Sequence, residues 1–298
     1  MPEQLDAPPS LRALYPRALT GALAELPRKL PGLRRGEPSL PELELAVRDV
    51  EIDRQHVAAY DRVCGFRVGD DLPATYPHMV AFPLAMKLMT DGSFPFPVIG
   101  LVHIGNRIEQ RRPLRADERI DFTVHAADLR EHDRGIAFDV VADATVDDEP
   151  VWHSTSTYLR RTGGGGSGDG KKSSEPPPAE AVWSVPGDIG RRYASVSGDI
   201  NPIHMHPLSA RLFGFPKPIA HGMWLKARCL AALEGELPLV SPAGAIAVEV
   251  SFKLPLLLPA KVAFASWPAD GAGTGSRDFA VHDARNGKPH LSGSVRPA

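Results

Sequence analysis

Cysteine is nearly absent: Cys64 and Cys229 are the only two in 298 residues, too few for a disulfide framework or a zinc site of paired CxxC type. Each is expected as a small buried residue. An excess of one charge is missing too. With 34 basic and 36 acidic residues the net charge is -2, which argues against a general nucleic-acid binder or a membrane-surface protein. No apolar run reaches the roughly 18 residues of a membrane span. The opening MPEQLDAPPS puts acid and proline where a signal peptide needs a basic start and an apolar core. The expectation is a cytoplasmic protein with no membrane span and no nucleic-acid partner.

What is present is ordinary globular composition, 43% hydrophobic and 23% charged, over a length that predicts about two domains. The break falls at Gly163–Pro178, GGGGSGDGKKSSEPPP. Such a run buries too little apolar surface to offset its ordering entropy, and reads as a linker with a stiffer proline end. The chain therefore divides into 1–162, a linker at 163–178, and 179–298.

The same grammar stands on both sides. Leu43, Leu45 and Val47 alternate with polar or small residues as in a strand; Asp53 follows as a helix N-cap, and the helix ends in YDRVCG at Gly65. In the second half AVWSV is followed by Pro186 and a helix ending in YASVSG at Gly198, with the same tyrosine-to-glycine spacing. Each half then has a largely apolar helix, AFPLAMKLM from Ala81 and AHGMWLKARCL from Ala220, which align with Lys87 against Lys226 and Pro83 against Gly222. Alternating segments follow, such as Ile120, Phe122 and Val124, with counterparts in Ala247–Leu254, Lys261–Trp267 and Asp278–His282. One buried helix and several antiparallel strands, twice over, predict a duplicated α+β fold in which each curved sheet wraps a central helix. The stretch before Leu43 matches no part of this layout.

The copies differ between the short and the apolar helix. Gly65 to Ala81 is 16 positions and Gly198 to Ala220 is 22, and the longer connection contains SGDINPIHMHP, Ser197–Pro207. It brings together two acid/base groups, Asp199 and His204. Read alone, Asp-x-Asn-Pro is an ordinary turn composition. Pro83 lacks the backbone N–H that Gly222 would offer at a helix start.

The run YASVSGDINPIH, Tyr193–His204, followed by FGFPKPIAHGM, Phe213–Met223, resembles the MaoC-like dehydratases, the (R)-specific enoyl-CoA hydratase or hydratase 2 family. G-D-x-N-P-x-H is matched at every fixed position from Gly198 to His204. The two-copy layout resembles the double hot-dog members, whose first half has lost the catalytic loop. The resemblance implies reversible hydration between (2E)-enoyl and (R)-3-hydroxyacyl thioesters of coenzyme A or acyl carrier protein, without a cofactor. It gives Asp199 and His204 the catalytic roles and Gly222 an oxyanion-binding N–H; Asn201 is an orienting residue, Ser197 and His221 flank the site, and a homodimer is compatible with it.

Other readings compete. A hot-dog thioesterase would place a carboxylate on the central helix, and Met223–Leu233 has none. A non-catalytic acyl-thioester binding module would not need the Asp199/His204 pair. His204-x-His206 invites a metal, but no third ligand follows at a familiar spacing, and no metal is expected. Arg107, Arg111, Arg112 and Arg115 form a basic cluster that reads as a solvated rim, or as a contact for coenzyme A phosphates.

Overall fold

A computed structural model describes residues 2–24, 37–162, 176–237, 244–269 and 275–298. The expected linker lies mostly outside the described residues. The chain starts with a strand β1 (Glu3–Leu5) and a helix α1 (Leu11–Ala24). The first copy comprises β2 (Glu44–Glu51), α2 (Arg54–Cys64), α3 (Tyr76–Met89), β3 (Leu101–Gln110), β4 (Arg119–His132), β5 (Gly135–Val146) and β6 (Glu149–Arg161). The second comprises β7 (Ala181–Val185), α4 (Ile189–Ser197), two short helices α5 (Pro202–Met205) and α6 (Pro207–Leu212), then α7 (Gly222–Ala232), β8 (Ile246–Phe252), β9 (Ala260–Pro268), β10 (Arg277–Asp283) and β11 (Pro289–Pro297).

All described strands join one sheet in the order β1-β2-β4-β5-β6-β3-β8-β11-β10-β9-β7. Read outward from the antiparallel β3·β8 seam, the order is β3-β6-β5-β4-β2 on one side and β8-β11-β10-β9-β7 on the other. Each of these strands has its counterpart in the same place, and β1 is the one addition, at the edge beyond β2. The duplication expected from sequence grammar is the topology of the sheet, and the fold is an α+β double hot-dog.

Local chemistry sets the helix ends. Asp53 accepts a hydrogen bond from the Gln55 N–H at 2.8 Å, so α2 is capped as expected. Gly65 and Gly198 both close their helices in the left-handed region, at φ 88° and 67°, a conformation that costs glycine nothing and an L side chain about 1–2 kcal/mol. The paired helices α2 and α4 pack against each other. His56 bridges them, its Nε2 2.9 Å from the Val196 carbonyl.

The central helices depart from the sequence alignment. α3 begins at Tyr76, five residues before Ala81, so Pro83 lies inside the helix and is no counterpart of Gly222 at the start of α7. The first copy still lacks the donor, for another reason: the Tyr76 N–H is closed onto the Pro73 carbonyl at 2.7 Å. Measured to the helix starts, the connections are 11 residues from Gly65 to Tyr76 and 24 from Gly198 to Gly222. The aligned lysines part as well. Lys87 is partly exposed and pairs with Glu3 at 3.1 Å.

Lys226, by contrast, is fully buried beneath the seam. Its Nζ donates to Asn106 Oδ1 at 2.6 Å, the Val248 carbonyl at 3.1 Å and the Asn106 carbonyl at 3.3 Å. Three donors meet three acceptors, tying α7 to β3 and β8. Burial, more than its distant charged neighbours, moves its pKa well below the usual lysine range. Lys226→Met keeps the aliphatic stem but strands those oxygens, and a buried acceptor left without a partner costs about 1–3 kcal/mol. Urea denaturation should register that loss, and an unchanged midpoint would show that the network contributes no net stability.

Candidate active site

The connection after α4 builds its own turn from short polar side chains. Ser197 Oγ accepts from the Asp199 N–H at 3.1 Å, Asp199 Oδ1 from the Asn201 N–H at 3.1 Å, and Asn201 Oδ1 from the Ile203 N–H at 3.3 Å. Each side chain reaches the backbone two residues on, as serine, aspartate and asparagine do in turns. Asn201 thereby caps α5, whose first residue is Pro202. The turn ends by presenting His204.

His204 is held by one nitrogen. Its Nδ1 lies 2.8 Å from the Ile219 carbonyl. A carbonyl only accepts, so Nδ1 carries the proton and the neutral ring keeps a bare lone pair on Nε2. Burial, followed by the neighbouring His221, presses the His204 pKa down to about 3, against the opposing pull of Asp199. At neutral pH it is an uncharged base.

Asp199 is 23% exposed, towards the cavity that it lines. Burial pushes its carboxyl up, but His221 and His204, the Tyr15 hydroxyl and the Asn201 N–H more than reverse this, and the pKa lies below the ordinary value. It is a carboxylate at neutral pH. His221 Nε2 lies 3.0 Å from the Asp199 carbonyl and 3.6 Å from Oδ2, and its ring stacks on His204 with centroids 3.7 Å apart. The flanking residue of the sequence reading therefore touches both members of the pair.

A cavity of about 680 Å³ runs from these groups into the first copy. Ser197, Asp199, Asn201, His204 and Gly222 all line it, so the five residues singled out from sequence converge in space. Gly222 is the first residue of α7, where an N–H has no intrahelical acceptor. A Cβ there would also come within 2.9 Å of the Phe252 ring. Glycine at 222 thus serves the packing of α7 against Phe252.

Beyond the pair the wall belongs to α3 and β3, with Met79, Phe82 and Met86 supplying apolar surface. His78 and His103 stack on each other there, with centroids 6.5 Å apart; burial, ahead of nearby charges, lowers their pKa values to about 4 and about 3. Neither was anticipated from sequence. Periodicity marks α3 as buried but cannot say that it faces a site in the other copy.

The second histidine of the loop and the arginine cluster both lie outside the cavity. His206 does not join His204: it is exposed and caps α6, its Nδ1 accepting from the Leu208 N–H at 3.3 Å. The cluster with metal-ligating atoms within 4.8 Å is instead Asp199, His204 and His221. In-plane lone pairs of two rings stacked face to face do not converge on one ion, so this arrangement is a poor metal cage. Arg107, Arg112 and Arg115 are engaged by acids, at 2.6 Å to Glu109, 2.7 Å to Glu118 and 3.2 Å to Asp117, and none of the four arginines lines the cavity.

Two hot-dog copies, a neutral histidine base and a half-buried carboxylate beside a helix N-terminus define a protein of the hot-dog dehydratase class. The comparisons agree. A family model described as MaoC like domain matches residues 174–284. The 3-hydroxyacyl-thioester dehydratase X of Mycobacterium tuberculosis is 38% identical over 98% of this chain and 99% of its own. A crystal structure of that dehydratase, HtdX, superposes with a TM-score of 0.75 at 37% identity, covering 86% of this chain and 100% of the other. A MaoC-like dehydratase from Phytophthora capsici shares the fold, with a TM-score of 0.70 at 17% identity over 89% of this chain and 98% of its own. The chain belongs to the MaoC-like dehydratase family and is a hydro-lyase.

Two expectations follow from the site. Gly190 of α4 runs so close to the loop that a Cβ would sit 2.2 Å from the His204 carbonyl oxygen. Gly190→Ala must move the backbone that carries His204, so turnover should fall while circular dichroism stays native; a fully active Gly190→Ala would show that the loop tolerates displacement. The second concerns pH. Protonating either His204 or Asp199 removes an acceptor, and both titrate low, so kcat/KM should stay level from about pH 8 down to about pH 5 and fall only below that. An inflection near the ordinary histidine value of 6.5 would contradict a neutral His204.

Proposed function

We propose that the chain interconverts (2E)-enoyl and (R)-3-hydroxyacyl thioesters, with Asp199 and His204 as its catalytic residues. The observation that carries this reading is the convergence of the Asp199 carboxylate and the His204 ring, which offer ligand atoms within 4.8 Å of each other, on one largely apolar cavity that Gly222, the first residue of α7, also lines. That separation suits one water donating to both. His204 Nε2 takes one proton, the oxygen bonds C3, and the C2=C3 electron pair moves into the thioester as an enolate. The Gly222 N–H stabilises the developing oxyanion, and return of the proton to C2 completes hydration. Dehydration is the reverse. Asn201 and Ser197 hold the turn, and the carboxylate that a thioesterase would place on the central helix is missing from α7.

The two halves divide the work. The second, 179–298, carries the chemistry; the first, 1–162, walls the acyl chain through Met79, Phe82 and Met86 of α3, and 163–178 joins them. The carrier end of the thioester lies on the opposite side. A depression of about 510 Å³ shares Phe215, Leu254, Leu256 and His290 with the cavity, and Lys217, Lys261, Arg285 and Lys288 line it. These cations replace the arginine cluster as the contact for the phosphates of coenzyme A or of a carrier-protein phosphopantetheine. Two buried free thiols, Cys64 and Cys229, favour a reducing compartment such as the cytoplasm.

Asp199→Asn and His204→Gln keep volume and lose proton chemistry. General acid/base contributions are on the order of 10² to 10⁴ in rate, so either variant should lose that much when crotonyl-CoA and a long-chain enoyl-CoA are followed at the enoyl absorbance. Near-normal hydration by both folded variants would remove the site assignment.

A further inference from the structure

From the geometry of α1 we infer that Tyr15 is a positioning residue of the active site, holding Asp199 ionised and oriented from the N-terminal end of the chain. The Tyr15 hydroxyl donates to Asp199 Oδ1 at 2.5 Å, across 184 residues of sequence. Tyr15 is only 7% exposed and lines the same cavity. It arrives there for a plain reason: Leu11, Leu14, Tyr15 and Ala18 recur at helical spacing and form the inner face of α1. Leu11 closes against Gly198, where a Cβ would be 2.4 Å from Leu11 Cδ1. Backbone, apolar contact and hydrogen bond all place the phenol on the turn that carries Asp199.

The consequence is chemical. Oδ1 is occupied by two donors, the Tyr15 hydroxyl and the Asn201 N–H, which leaves Oδ2 for a water. The phenol stays protonated, because burial and then the Asp199 charge push its own pKa far up. His204 and His221 are the other nearest groups, from α5 and the start of α7, with Tyr193 of α4 beside His221. His78 of α3, His103 of β3 and Tyr158 of β6 face Asp199 across the cavity. The anion is favoured by the pull of His221 and His204 and by the hydrogen bonds from Tyr15 and Asn201 to Oδ1. Removing the phenol must raise the Asp199 pKa.

The inference rests on the proposed role of Asp199, so its test needs a measurement independent of turnover. Tyr15→Phe keeps the ring and removes the donor; Leu14→Ala loosens the same helix without touching Asp199. A hydrogen bond to a charged group corresponds to roughly a ten- to hundredfold effect. Tyr15→Phe should therefore lower kcat by that factor at unchanged KM, and move the acidic limb of the rate profile up by about one pH unit or more. The Asp199 carboxyl resonance in ¹³C-aspartate-labelled protein, identified by its loss in Asp199→Asn, should titrate correspondingly higher. Leu14→Ala should lower thermal stability and leave both titrations in place. A Tyr15→Phe protein with an unmoved resonance, or a Leu14→Ala protein that shifts it equally, overturns the inference. The carboxyl titration reads Tyr15 even if wild-type enzyme fails to hydrate an enoyl thioester, an outcome that would sink the proposed chemistry instead.

Discussion

A carboxylate withdrawn from bulk water beside an apolar cavity must have its lost hydration replaced by fixed donors, or it takes up a proton. Around Asp199 the replacements come from separate places: the Tyr15 hydroxyl of the N-terminal helix and the Asn201 N–H of the turn itself. Much of the architecture serves that requirement. Gly198 lets the chain reverse, Leu11 covers the reversal, and His221 fixes the Asp199 carbonyl while stacking on His204. The pair is held by its surroundings before any substrate arrives, so little reorganisation is left for the reaction.

The N-terminal stretch links the copies mechanically. β1 adds parallel to β2 at the edge of the first half, with Glu3 opposite Leu45 and bound to Lys87. A few residues later α1 lies over the active-site turn of the second half. Seam contacts do the same from below, where Lys226 draws α7 onto strands of both copies. The site therefore senses the first half through a helix above, a lysine beneath and the α3 wall alongside.

What could be read from sequence was what local physics writes locally. The caps at Asp53, Gly65 and Gly198, the strand alternation and the self-capping turn each need only a few neighbouring residues, and the motif from Gly198 to His204 is contiguous. The misread features depend on distance in space. Tyr15 meets Asp199 only after the chain folds, although Leu11, Leu14, Tyr15 and Ala18 carry a helical signal that marks an apolar face seeking a partner. Gly190 looks like any helical glycine until His204 is packed against it. The arginine cluster is the solvated rim that its composition suggests, paired with acids both nearby in sequence, Glu109 and Asp117, and on other segments, Asp71 and Glu249. Pro83 misled because an apolar pattern marks the middle of a helix better than its first turn.

The asymmetry between the copies has a structural cause and a structural product. Ten residues between Gly65 and α3 cannot hold a turn and two short helices, and the Tyr76 N–H that opens α3 is already bonded. In the second copy the corresponding region is where the acid/base loop lies over the start of α7. By the symmetry of the sheet, such a loop in the first copy would lie over the first turn of α3, where His78 and Met79 now line the cavity. A second loop would thus occupy the approach to the wall that the remaining site uses. Under the proposed chemistry, the short connection removes one set of acid/base groups and opens room for an acyl chain at the other, so the lost site and the deepened pocket are a single change in the fold.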